Sequence, residues 1–158
     1  SLAPGRYMYL SLILGQDRML TISGGEVVLY VQGEMRLHQG STLQVNPGSV
    51  LLLYVGGSFI ADQGSAITNA TQDACNLRMY GTPTCTSIQL KNSGDFYGAV
   101  YAPNANLVID NNAKQIGSFI GNSLEIKNSG GFYYDTRLGD LDSPDVYSFF
   151  QVERWWER

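Results

Sequence analysis

Apolar and polar side chains alternate along most of this chain, in short runs that stop at glycine, asparagine, proline or serine. Met35-x-Leu37, Leu43-x-Val45, Ile88-x-Leu90 and Leu124-x-Ile126 each place apolar residues two apart. A period of two sends alternate side chains to opposite faces of an extended backbone, so the pattern predicts strands with one face in a core. Strands are expected at 6–14, 19–22, 27–31, 34–37, 42–45, 50–55, 58–61, 66–67, 77–80, 87–90, 97–101, 107–109, 117–120 and 124–126. Helical spacing is almost absent until the last segment.

The runs also repeat. Leu29-Tyr30-Val31-Gln32-Gly33 returns 24 residues later as Leu53-Tyr54-Val55-Gly56-Gly57, with a weaker echo a further 24 on at Leu77-Arg78-Met79-Tyr80-Gly81. Gln39-Gly40-Ser41 returns as Gln63-Gly64-Ser65. In the second half, Ser87-Ile88-Gln89-Leu90-Lys91-Asn92-Ser93-Gly94 recurs as Ser123-Leu124-Glu125-Ile126-Lys127-Asn128-Ser129-Gly130, with Leu107-Val108-Ile109-Asp110-Asn111 between, at steps of 19 and 17. A β-sandwich also has many short strands, but nothing obliges them to resemble one another at fixed intervals. Stacked windings do oblige it, because like residues lie over like. The expected fold is therefore all-β, a parallel β-helix of about five or six irregular coils.

On this reading Leu29, Leu53 and Leu77 form one interior ladder, and Ile88, Leu107 and Leu124 another. Gly33 and Gly57 fall at turns, and Pro103 fixes a bend. Asn92, Asn111 and Asn128 mark a corner, where they either hydrogen-bond along the stack in left-handed backbone or simply cap turns. The shortening step implies a taper, or a loop lost from one side. Residues 1–140 form the solenoid. Residues 141–158 carry Tyr147, Phe149, Phe150, Trp155 and Trp156 and are expected to cap its exposed strand edges, the alternative being an aromatic docking surface.

Composition narrows the function classes. Of 158 residues 44% are hydrophobic and only 15% charged, so the surface is neutral, built from Ser, Thr, Asn, Gln and Gly. A net charge of −4 without any basic cluster argues against nucleic acid. No apolar run approaches the roughly 20 residues needed to cross a bilayer, so no membrane contact by this chain is expected. The abrupt start at Ser1-Leu2-Ala3 reads as a fragment whose targeting segment lies upstream. Cys75 and Cys85 are either joined by a disulfide stapling a loop between coils or are two unrelated thiols. The bridge is the expectation, and it would place the chain in an oxidising compartment.

Candidate chemistry is sparse. His38 is the only histidine, and its alternating strand turns it to solvent; neither cysteine has an activating base, so no nucleophilic triad can form. The cysteine spacing suits no zinc motif, and no calcium repeat or phosphate loop is present, so neither metal nor cofactor is expected. Asp110 falls near Lys91 and Lys127, and Glu125 beside Gln89 and Val108, which mixes charges instead of concentrating carboxylates. The expectation is no enzyme. Asp135 can pair with Arg137 or cap a turn; were a carbohydrate bound or cleaved, Tyr97, Tyr101, Tyr133 and Tyr134 would be the platform, and Asp110, Glu125 and Asp135 the acids.

Phe96-Tyr97-Gly98-Ala99-Val100-Tyr101-Ala102-Pro103-Asn104-Ala105, then Ile116-Gly117-Ser118 and Phe132-Tyr133-Tyr134-Asp135-Thr136-Arg137-Leu138, resembles an uncharacterised bacterial domain. Its pattern runs "fyGavyAPnA…v…GN…iyGs…i…sg…fhYDe.L". That domain commonly follows PilX-like, type IV pilin-related segments in proteins of the cell surface or pilus-assembly machinery. The opening Leu2-Ala3-Pro4-Gly5-Arg6-Tyr7 and the Trp155-Trp156-Glu157-Arg158 ending are similar to it too. Tyr133 stands where the pattern has histidine. The resemblance implies a right-handed β-helix outside the cytoplasmic membrane, structural or adhesive, with protein partners in a pilus or surface assembly and a host or matrix glycan as a further partner. It implies no substrate.

Overall fold

Each alternating run is extended in the computed structural model, which describes residues 1–110, 112–127 and 130–140. One face of the solenoid stacks β1 (Gly5–Tyr9), β4 (Glu26–Val31), β7 (Val50–Val55) and β10 (Leu77–Gly81), then the first halves of β12 (Phe96–Ile109) and β13 (Gln115–Ile126), then β14 (Phe132–Tyr133). A second face stacks β2 (Leu12–Leu14), β5 (Met35–Leu37), β8 (Ser58–Ala61) and β11 (Ser87–Leu90) with the second halves of β12 and β13. The third is β3 (Met19–Ile22), β6 (Thr42–Val45) and β9 (Ala66–Asn69). All pairings are parallel, giving a β-solenoid of about five turns.

Where two separate runs were expected at 97–101 and 107–109, one strand bends across two faces. Its register breaks between Ala102 and Asn106. Pro103, with no N–H to give a ladder, occupies that break, and Asn104 Nδ2 ties it to the Pro83 carbonyl of the preceding coil at 3.2 Å. Conversely, the expected 6–14 run splits into β1 and β2 at a corner.

Leu29 lies on Leu53, and Ile88 on Leu107 and Leu124, as stacking requires. The third member of the first ladder is Met79, not Leu77, which lies on Leu51. The segment before β10, with its short 3-10 helix at Ala74–Asn76, adds two residues to the step. A shift of two preserves facing, so Leu77 and Met79 both stay buried. The third face ends after β9, leaving only an isolated bridge from Ala66 to Ser93. That loss accounts for the later steps of 19 and 17.

Gly33 and Gly57 occupy stacked corners, joined by a Gly57 N–H to Gly33 carbonyl bond of 3.0 Å. Their role is close approach: a Cβ on Gly57 would lie 2.8 Å from the Gly33 carbonyl carbon, and one on Gly33 2.8 Å from the Leu10 oxygen. The left-handed backbone at the neighbouring corners is taken by Asp17, Gly40, Gly64 and Gly94. Asn92 does not share it. Asn92 is fully buried, and neither its Nδ2 nor its Oδ1 has a hydrogen-bond partner among the described residues. Asn111, Asn128 and the 141–158 cap lie outside the described residues.

The expected disulfide is not formed; both cysteines are free thiols. They sit at opposite ends of β10, Cys75 in the 3-10 helix before it and Cys85 against Gly81 at its close. A five-residue strand spans roughly 16 Å, far beyond the Cα separation of about 4.4–6.8 Å that a disulfide tolerates. Burial pushes the Cys75 thiol up to about 11, reinforced by the Asp73 carboxylate, and raises Cys85 as well. Neither is poised as a nucleophile, and the argument they offered for an oxidising compartment falls with the bridge.

Candidate functional site

The same alternation that buries Leu29, Leu53 and Met79 turns the next residue outward at every rung. Tyr30, Tyr54, Tyr80 and Tyr101 thereby lie one above another on the first face, with Met8 below and Ile120 above. A second outward column on this face contains Val28, Leu52, Arg78 and Ala99. A third brings together Tyr97, Ile116 and Tyr133. The expected platform residues Tyr97, Tyr101 and Tyr133 therefore do share a face. Tyr134, 61% exposed, follows the end of β14.

Tyr30, Tyr54 and Tyr80 are not among the expected platform residues, although two of them stand inside the 24-residue repeat. The signal was there: a residue next to an interior ladder forms an exterior one. Tyr54 and Tyr80 stack with ring centroids 4.9 Å apart and planes 19° from parallel. Rings stacked along the axis cover each other's faces and show edges and hydroxyls to solvent. A sugar held by stacking on tyrosine needs an open ring face; a flat apolar partner surface can pack on edges.

Asp135 does not join this face. It is 6% exposed. Its Oδ2 accepts from the Ala74 N–H at 3.1 Å and from Arg137 Nη2 at 2.7 Å, while Oδ1 accepts from Arg137 Nε at 2.9 Å. Arg137 Nη2 also donates to the Gln72 carbonyl at 2.6 Å. The Arg137 guanidinium, aided by the Ala74 and Arg137 N–H groups, holds the carboxyl below its ordinary value against the opposing effect of burial. Asp135 is a clasp between the last coil and the 70–76 loop. It pairs with Arg137, one of the two structural readings open to it, and stands apart from the tyrosines grouped with it as a ligand platform.

The corner after the second face carries a different column. His38, Asp62, Lys91, Asp110 and Lys127 each follow the strand below and donate their backbone N–H to the preceding rung, which puts opposite signs on successive coils from Asp62 upward. Asp62 accepts a two-pronged contact from Arg36 Nε and Nη2, both 3.0 Å, and lies 3.2 Å from His38 Nδ1. His38 is half-exposed, as the alternation required. Glu125 points outward beside Lys127 at 3.7 Å. Asp110, Glu125 and Asp135 thus occupy three different settings and do not converge.

A polar groove runs along this corner. One depression of ≈850 Å³ includes Gln16, His38, Gln39, Asp62 and Gln63 in its lining. It meets a second of ≈340 Å³ through the shared Gln63 and Ser93, which reaches Lys91, Asn92, Asp110 and Asn112. Among the described residues no three His, Cys, Asp or Glu side chains are placed to hold a metal ion.

Fold and surface define the class: a parallel β-solenoid with one aromatic face and one polar corner groove. Residues 1–141 match the family model of a domain of unknown function (DUF7305), and the chain belongs to that family. No curated protein and no solved structure matches it.

Proposed function

We propose that this chain is a non-enzymatic, extracytoplasmic domain of a minor-pilin-like or cell-surface protein. Its work is structural and adhesive. The tyrosine-lined face packs against the apolar face of a neighbouring protein in the surface assembly, and the solenoid serves as a stiff support. The carrying observation is the outward column Tyr30, Tyr54, Tyr80 and Tyr101, flanked by Val28, Leu52, Arg78 and Ala99. Tyrosine and arginine are both favoured at interface centres, tyrosine for its rigid, amphipathic bulk, and here they share one half-exposed face. The resemblance of the 96–105 and 132–138 segments to a domain that follows pilin-like segments supplies the setting.

A photo-crosslinking side chain at position 54 of the full-length protein in its own cells tests this. The expected result is an adduct with another surface-exposed protein, destroyed when protease is added to intact cells and lost in a Tyr30→Glu, Tyr101→Glu background. The same probe at Gln44, on the third face, should give none. No adduct at 54, equal adducts at 44, or a domain that protease cannot reach would each reject the proposal.

A further inference from the structure

We infer that the corner groove is a binding site for a neutral, linear glycan lying along the solenoid axis. The inference rests on the adhesive reading above but uses a different surface. The groove crosses five successive corners, from Gln16 through His38 and Gln39, Asp62 and Gln63, and Lys91 and Ser93, to Asp110 and Asn112. Four rung steps make it roughly 19 Å long, which suits a polymer and not a single small molecule. Its lining contains no Leu, Ile, Val, Phe, Tyr or Trp.

The chemistry selects the ligand class. Gln16, Gln39, Gln63 and Asn112 offer paired amide donors and acceptors to hydroxyls from successive coils. Asp62 is held in one orientation by the Arg36 fork and His38, leaving it a fixed acceptor in the groove. Charges alternate along the column, so neither an anionic nor a cationic polymer meets a field of one sign. A peptide would need a free strand edge or apolar pockets for its side chains, and the groove runs across rungs with neither.

The test is an NMR titration of the 158-residue chain with cellohexaose, mannohexaose and chitohexaose. Backbone shifts are expected at residues 38–41, 62–65 and 91–94 with at least one of the three, at a Kd of about 1 mM or tighter. Gln63→Ala and Lys91→Ala, both on the outer surface, should weaken binding at least tenfold, whereas Tyr54→Ser should leave it unchanged. Shifts confined to the tyrosine face would overturn the groove, as would no shift with any of the three up to about 10 mM. Either result leaves the crosslink at position 54 to judge the docking proposal separately.

Discussion

At a corner of a stacked coil the available space is set by backbone, not by flexible side chains. Gly57 illustrates this, since a methyl group there meets the Gly33 carbonyl carbon at 2.8 Å. Gly57→Ala is expected to cost about 1–3 kcal/mol in chemical denaturation, the usual penalty for overfilling a rigid site; an unchanged midpoint would show that the corner is looser than described. Asp135 makes the complementary case for a polar group. Asp135→Asn leaves Arg137 without its principal partner and weakens the Ala74 contact, for an expected loss of about 1–3 kcal/mol. The pH dependence follows from the depressed carboxyl. A folded value below the ordinary 3.8 means that ionised Asp135 stabilises the fold above 3.8, and that this stability is lost as pH falls through the folded value. The Ala74 amide resonance should titrate with a midpoint below 3.8; a midpoint at or above it contradicts the clasp.

At the scale of elements, the corner column from His38 to Lys127 ties rung register to charge. Asp62→Asn should destabilise modestly and Asp62→Lys more, by about 1 kcal/mol beyond Asn, because a third cation would then stand between Arg36 and Lys91. The gap should narrow in 1 M salt, where screening reaches about 3 Å. Equal stability of the two variants would mean the column carries no register information. Across β10 the two thiols should remain free, so intact mass should match the fully reduced chain and alkylation in denaturant should modify both; a chain two hydrogens lighter would contradict the structure. Rung register was legible wherever the step was regular, as for Leu29 on Leu53 and Ile88 on Leu107. It slipped at Leu77 because a two-residue insertion in an irregular loop leaves no trace in an alternating pattern. The cysteine pairing failed for a related reason: ten residues of separation do not reveal that a straight strand holds the ends apart. The tyrosine column was readable but exterior, and strand alternation draws attention to what it buries.

For the whole molecule, a solenoid joins backbone rung to rung and leaves the problem of its ends. On the last coil Leu124 is 46% exposed, Ile126 43% and Phe132 42%, though the first two continue interior columns. At the first coil the interior positions Tyr7, Leu12 and Leu14 are likewise only partly buried. If residues 141–158 cover the last coil, a chain ending at 140 should self-associate with rising concentration in light scattering while the full chain does not. Equal behaviour of the two would remove the cap. Both the tyrosine face and the polar groove exist only if successive windings lie in register over three or more coils. Spin labels on Val28 and Ala99, which share one outward column, test this directly by dipolar broadening. Three rung steps predict a backbone separation of about 14 Å; a separation of about twice that or more would contradict the stacked solenoid and both surfaces built on it.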